Sequence, residues 1–200
     1  MTQEVKYFLD KLDQKWVPIK QQVEQYFDSD SRIRDDGALQ VFKRPWIAPK
    51  NFGILVFPPA NEAWLTMFQE KTTIVIPTIY KKILMEINGC YIYDFELFGL
   101  PKSLYTGRLL DRSILQQHDL TLANNSWKKE YKLNEDYFLI GGRDYADDEV
   151  IGYFLNENKI YSIRKNGEIL SSWDSFVDFL NEEIYKAERT MLNEKNKTIR

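Results

Sequence analysis

Four carboxylates form the most suggestive polar cluster in the chain. Asp144, Asp147, Asp148 and Glu149 fall within six residues, with no basic residue among them. Oxygen ligands of this kind can hold calcium or magnesium, but the spacing lacks the alternating ligands and the closing glutamate of an EF-hand. We therefore predict no metal site. The ordinary interpretation is a solvated loop between two strands.

Nucleophilic catalysis by a Ser/His/Asp or Cys/His set needs a base within hydrogen-bond reach of the nucleophile. The chain has one histidine, His118, and its polar neighbours Gln117 and Asp119 predict a solvated side chain on a helix. The one cysteine, Cys90, is predicted to be a small buried apolar residue. A lone cysteine also excludes an internal disulfide and every cysteine-pair zinc motif. We expect no enzymatic activity.

Two glycines, Gly141 and Gly142, follow an apolar run and could suggest a phosphate-binding loop. A phosphate cradle requires a helix N-terminus after the glycines, and the residues that follow here read as a strand. The glycines are therefore predicted to form a bulge or a turn. No cofactor is expected.

One tryptophan is difficult to place in a core by pattern. The chain has 5 Trp, 12 Tyr and 12 Phe, and most of them lie on predicted core faces. Trp46, between Pro45 and Ile47 in a proline-rich stretch, is instead a candidate anchor for a protein interface. Packing within the chain remains the alternative.

Composition limits the possible partners and the compartment. The chain has 200 residues, 44% of them apolar, and a formal net charge of -3. This length suits one domain, and this charge gives no overall attraction to nucleic acid or anionic lipid. No apolar run approaches the roughly 20 residues of a membrane span, and the first residues lack a secretory signal. We expect a cytoplasmic protein; self-association is left open.

The pattern of apolar residues predicts an α+β fold with a mostly antiparallel sheet flanked by helices and a helical N-terminal extension. A helical stripe over 5–27 contains Pro18, which predicts a kink or two successive helices. Extended segments follow within 39–60, a short helix is capped by Asn61, and Pro77 opens another. A helix is predicted around 113–130.

The last third of the chain predicts an antiparallel meander. Four strand-like runs lie at 137–141, 149–155, 159–165 and 168–172, separated by short Asn, Asp and Gly turns. A closing helix begins near Ser175 and is predicted to fray after about residue 188. We divide the chain into an extension over 1–60, packed on or preceding the core, an α+β domain over 61–190, and a frayed tail over 191–200.

Six segments, taken in order, resemble the SUKH superfamily, which includes fungal regulators of cell-wall assembly and many bacterial immunity proteins. The segments are IPTIYKKILMEINGC (76–90), FELFGL (95–100), DLTLANNSW (119–127), YFLIGG (137–142), GYFLNENKIYSI (152–163) and SFVDFL (175–180). The resemblance covers roughly 60–185. The chain departs from the family pattern after Ile140, where a glycine and aspartate run is shorter, and over 1–60, which the pattern does not explain.

The resemblance implies an immunity protein that binds and neutralises a cognate bacterial toxin domain, with no cofactor. Many such toxins are nucleases, so Asp144, Asp147, Asp148 and Glu149 could dock into a positively charged nuclease groove in place of phosphates. The alternative is a non-catalytic regulatory adaptor of the cell-wall-regulator type. No direct binding of nucleic acid or membrane is expected.

Overall fold

The computed structural model describes residues 1–48, 51–100, 117–144 and 150–198. These residues form one nine-stranded sheet in which strand order equals chain order and each strand is antiparallel to its neighbours. The strands are β1 (Arg32–Ile33), β2 (Leu39–Lys43), β3 (Phe52–Val56), β4 (Cys90–Ile92), β5 (Phe95–Leu97), β6 (Phe138–Asp144), β7 (Val150–Asn156), β8 (Lys159–Arg164) and β9 (Ile169–Trp173). The predicted α+β class and the predicted meander are confirmed.

Six α-helices flank this sheet in the described residues. They are α1 (Gln3–Asp10), α2 (Val17–Tyr26), α3 (Glu62–Lys71), α4 (Thr78–Leu84), α5 (Leu120–Asn125) and α6 (Phe176–Thr198). None of them is long and apolar enough to cross a bilayer.

The N-terminal helices form where the sequence predicted them. α1 ends at Asp10, a short 3-10 turn follows, and Pro18 lies in the first turn of α2, where a missing backbone donor costs nothing. The same N-terminal region also supplies β1, β2 and β3, so residues 32–56 extend the sheet beyond the helical part of the predicted extension.

Local capping explains the predicted helix starts. The Asn61 side chain accepts a hydrogen bond from the backbone N–H of Trp64, and Pro77 is the N-cap of α4. Ser175 Oγ accepts a hydrogen bond from the N–H of Asp178 at the start of α6. Of the helix predicted around 113–130, residues 113–116 lie outside the described part, and the remainder forms α5 and a 3-10 turn.

The closing helix is longer than predicted. α6 continues to Thr198 instead of fraying after about residue 188, because Met191 is buried against the core and Thr190 accepts a hydrogen bond from Arg143 of the sheet. α6 packs on β4, β5 and β9 and runs alongside α2.

Glycines in β6 serve a bulge, as predicted. The pairing of β6 with β7 shifts between Leu139 and Gly141. A Cβ at Gly141 would lie 2.2 Å from the backbone oxygen of Glu96 in β5, so only glycine allows the two strands to approach this closely.

Candidate protein-binding site

The strand register brings several connections to one end of the sheet. Lys43 pairs with Phe52, Ile92 with Phe95, and Asp144 with Val150, so these three hairpins turn on the same side. We call this region the loop end. It comprises the β2–β3 loop (44–51), the β4–β5 turn (93–94), the β6–β7 connection (144–150), the β8–β9 turn (165–168) and the last turns of α6 (190–198).

Trp46 belongs to the loop end, and so does Asp144, the first residue of the acidic run. Asp144 is the last residue of β6, whereas Asp147, Asp148 and Glu149 lie outside the described residues, in the connection to β7. Trp46 lies in the β2–β3 loop. The two hairpins are four strand spacings apart, or about 19 Å along an untwisted sheet. A protein partner of ordinary size can contact both, since a standard interface covers about 800 Å² per partner.

Trp46 itself is half-buried. Its ring packs against Phe42, with centroids 5.7 Å apart, and Lys195 of α6 places Nζ 5.4 Å from the centroid of the indole. The indole Nε1 is buried and has no hydrogen-bond partner in the described residues, which is an unusual state for a donor. The neighbouring Ile47 is 48% exposed and is the more accessible apolar side chain of this loop. The role of Trp46 as an anchor stays a prediction.

Two aromatic residues with left-handed backbone conformations shape the base of the loop end. Phe42 has φ 64° and Tyr93 has φ 62°, and their rings contact each other edge to face. Positive φ is uncommon and costly for bulky side chains, so packing must hold them in place. Tyr93 donates from its hydroxyl to Oε1 of Gln22 in α2 at 2.8 Å, and Gly53 leaves room for both rings.

A buried ionic network joins the loop end to α6. The Arg143 side chain is fully buried; its Nε lies 2.9 Å from Oδ2 of Asp94, and its Nη2 donates to Oγ1 of Thr190 at 3.0 Å. Its Nη1 lies 3.6 Å from Oε2 of Glu183, which also accepts a hydrogen bond from the Tyr153 hydroxyl. Arg143 therefore links β6, the β4–β5 turn and α6 immediately before the acidic run.

Burial shifts the ionisation of this network. It raises the pKa of Asp94 to about 6, although the adjacent Arg143 guanidinium opposes the shift. Burial likewise lowers the pKa of Arg44, whose Nε donates to Oδ1 of Asn51 at 2.9 Å within the β2–β3 loop. Charge at the base of the loop end is thus held by desolvated, mutually paired groups.

The histidine is placed differently from its prediction. His118 precedes α5 and is not helical; its Nδ1 lies 2.6 Å from Oε2 of Glu96, and its ring contacts Phe98 and Trp127 edge to face. Its side chain is 44% exposed, so it is half solvated but fixed by an aromatic cluster. The helical prediction was wrong because the helix begins only after Asp119, whose side chain caps it by accepting a hydrogen bond from the N–H of Thr121, and the buried Gln117 donates to the backbone oxygen of Leu100.

Cys90 is buried, as predicted, and burial raises the pKa of its thiol to about 12. A thiol in this state is not a nucleophile at neutral pH. Within the described residues, no group of three or more His, Cys, Asp and Glu side chains is arranged to hold a metal ion.

Sequence reasoning did not find the Arg143 network. The residue pairs that form it are separated by 49 positions for Asp94 and 47 for Thr190. An arginine between a glycine pair and an aspartate at a strand end gave no local sign of burial. Only the register of β5 against β6, which places Arg143 opposite Phe95, directs its side chain under α6.

Comparison with known proteins identifies one family. A family model described as SMI1 / KNR4 family (SUKH-1) matches residues 59–182, more than half of the chain. A search of curated proteins and a search of solved structures each give no significant match. The matched range starts just after β3 and ends within α6, so it contains the β4–β5 turn and Arg143.

Proposed function

Because the chain belongs to the SMI1 / KNR4 family (SUKH-1), we propose that it is an immunity protein that binds and neutralises a cognate bacterial toxin domain. The proposed toxin is a nuclease, and neutralisation is by occlusion of its active site. The protein acts in the cytoplasm of the bacterium that makes the toxin. This proposal retains the expectation drawn from the six sequence segments.

One observation supports a location for the contact. Lys43 pairs with Phe52 on either side of the Trp46 loop, and Asp144 pairs with Val150 on either side of Asp147, Asp148 and Glu149. This register supports a contact that uses both connections. The connection contributes four negative charges and no positive one. A nuclease groove is positively charged because it binds phosphates, and opposite charges steer association and fix orientation.

The base of the loop end suits a rigid binding surface. Arg143 is bonded to Asp94 and Thr190, and the two left-handed aromatic residues are locked by packing. Little conformational entropy is then lost when a partner docks, which favours tight binding. We further propose that the chain performs no catalysis. The described thiol is buried, and His118 is held by Glu96 and aromatic rings.

The first test is co-expression with the C-terminal domain of any large secreted protein encoded beside this gene. Host growth and co-purification are scored together. Rescue of growth with a stoichiometric complex supports the proposal. A neighbour that is harmless alone and does not co-purify contradicts it and favours the adaptor alternative, for which an unbiased pull-down is the next experiment.

A second test addresses the acidic run. A variant with Asp144→Asn, Asp147→Asn, Asp148→Asn and Glu149→Gln should bind the toxin at least about tenfold more weakly at low salt and lose most of the salt dependence. The matched control neutralises four exposed carboxylates outside the loop end, Glu62, Glu70, Glu135 and Asp136. If both variants bind equally well, the acidic run does not dock the toxin.

A further inference from the structure

An apolar groove lies at the end of the molecule opposite the loop end. It is bordered on one side by α1 and on the other by Pro58, Pro59 and Met85, and it encloses about 600 Å³. Ile33, the last residue of β1, also lines it. The groove has the size of a ligand pocket, but it is an open trough along a helix.

The flank of α1 that borders the groove has a defined order of side chains. Glu4, Tyr7, Phe8 and Lys11 follow the i, i+3, i+4, i+7 spacing of one helix face, and all four line the groove. The adjacent flank of α1 is buried in the core through Val5 and Leu9, and Phe8 packs partly against the same core. The groove flank therefore has an acid near its N-terminal end, two aromatic rings in its middle and a base just beyond its C-terminal end.

Two large apolar side chains are exposed at this groove. Tyr7 is 64% exposed and Met85 is 40% exposed. Tyrosine, methionine and phenylalanine are enriched in protein interfaces, and contiguous exposed apolar surface marks such interfaces. The ring of Tyr7 carries its own helix neighbour Lys11, whose Nζ lies 4.0 Å from the ring centroid.

The charged groups of the groove fall into two classes. Glu86 is engaged within the chain, by Lys15 at 2.6 Å and by Nε1 of Trp16 at 2.8 Å, and Arg34 pairs with Asp36. Glu4 and Lys11 form no ion pair with any described residue. The two charges available to a partner are thus one negative and one positive, seven residues apart on one helix flank.

We propose that a second copy of this chain occupies the groove, with the two α1 helices packed antiparallel about a two-fold axis. The axis passes between Tyr7 and Phe8, which lie midway along the helix between Glu4 and Lys11. Glu4 of each copy then faces Lys11 of the other. The Tyr7 ring of each copy enters the groove of the other, against Pro59 and Met85.

The order of the charged residues along α1 is the reason to propose a second copy of the chain as the occupant. A two-fold interface uses the same patch on both copies, so the patch must be complementary to itself. A flank with acid at one end and base at the other satisfies that condition when the helices run antiparallel, because both unpaired charges meet their opposites. A parallel arrangement would place like charges together and is excluded by the same argument.

The proposed dimer leaves the loop end free. β1 pairs Ile33 with Leu39, and Leu39 pairs with Val56, so Pro58 and Ile33 lie beyond the end of the sheet that is distant from Lys43 and Asp144. Each copy can then bind its own partner. The dimer does not depend on the proposed immunity function, and failure of either leaves the other intact.

Sedimentation equilibrium and light scattering on the full chain test the dimer. The range should extend from about 5 to about 500 µM, because a small interface of this kind is weak. We expect a monomer–dimer equilibrium for the wild type. Glu4→Lys alone and Lys11→Glu alone should each weaken association at least about tenfold, since each places like charges opposite one another. The double variant Glu4→Lys/Lys11→Glu should restore it.

A second pair of variants tests the aromatic contact. Tyr7→Ala should also abolish the dimer, whereas Tyr185→Ala, which removes a 56% exposed tyrosine from α6, should leave it unchanged. Thermal unfolding by circular dichroism establishes that every variant is folded. A wild type that stays monomeric at the highest concentration overturns the proposal, as does a dimer that survives both single charge reversals.

Discussion

Nε of Arg143 and Oδ2 of Asp94 lie 2.9 Å apart and join the end of β6 to the β4–β5 turn. The guanidinium is fully buried, and Asp94 is followed directly by β5. A buried ion pair contributes little net stability when it is complete, but losing one partner leaves the other charge buried without compensation. The stability of the fold should therefore be sensitive to the loss of either partner.

Arg143→Met should therefore be strongly destabilising. It leaves the largely buried carboxylate of Asp94 without its cation and removes one of the two cations beside the buried Glu183, the other being Lys186. We therefore expect the free energy of unfolding at neutral pH to fall by about 3–5 kcal/mol. Urea unfolding followed by circular dichroism measures the change. Lys165→Met is the control, because Lys165 pairs with Glu130 on the surface and should leave the urea midpoint nearly unchanged. Equal midpoints for the two variants would contradict the structural role of Arg143.

Asp94 predicts a pH dependence of stability. Its pKa in the folded chain is about 6, above the ordinary value of 3.8, so the folded state binds a proton more readily than the unfolded state between these values. The contribution of Asp94 to stability is therefore fully present below about pH 4 and is lost as the pH rises through 6. Relative to Asp94→Asn, whose side chain does not titrate, the wild type should gain stability as the pH falls from 7 to 4.

Urea unfolding of both proteins at several pH values between 4 and 7.5 measures this difference. Asp174→Asn provides the control, since its side chain is 87% exposed and its replacement should leave the pH profile of the wild type unaltered. A wild type that loses stability relative to Asp94→Asn on acidification would show that the Arg143 charge outweighs the effect of burial.

Neighbouring glycines in β6 should respond very differently to alanine. At Gly141 the new Cβ would meet the backbone oxygen of Glu96 at 2.2 Å, and this atom belongs to a paired strand and cannot move alone. We expect Gly141→Ala to lower the unfolding free energy by more than about 2 kcal/mol. At Gly142 the nearest atom is the oxygen of Ile151 at 3.1 Å, so Gly142→Ala should cost clearly less. Thermal and urea midpoints of the two variants measure whether Gly141→Ala is the more destabilising substitution.

Trp46 and Ile47 allow packing and binding to be separated. Trp46 packs between Phe42 and Lys195, so Trp46→Ala should lower the unfolding free energy by about 1–3 kcal/mol. Ile47 is exposed, and Ile47→Ala should change the unfolding free energy by less than about 0.5 kcal/mol. With the toxin in hand, calorimetric titration should show weaker binding by Ile47→Ala. Unchanged affinity in both variants would remove this loop from the interface.

Features determined by neighbouring residues were predictable from the sequence, whereas features that depend on distant pairs were not. Pro18 and Asn61 act within one helical turn, so their effects on α2 and α3 followed from residue type. The length of α6 depends on the burial of Met191 and on the hydrogen bond from Arg143 to Thr190, which lies 47 residues further along the chain. The position of His118 likewise depends on Glu96 of β5, a strand that is distant from it in the sequence.

The candidate site likewise combines features that the local sequence shows with features that only the fold reveals. The acidic run and Trp46 could be selected by residue type. That Asp144 and the Trp46 loop share one end of the sheet follows from an antiparallel register over six consecutive strands. The self-complementary flank of α1 could be seen only once the groove beside it was known. Helical spacing alone aligns Glu4 with Lys11, yet it does not indicate which flank remains uncovered.

Strand order that equals chain order has a consequence for how this protein can diversify. Each connection at the loop end closes a hairpin of two adjacent strands, so its length and composition can change without rethreading any other part of the chain. Related proteins can therefore differ in these hairpin loops, and each loop can carry its own recognition residues. The paired strands beneath stay the same, so recognition residues can change in one connection while the rest of the sheet is retained.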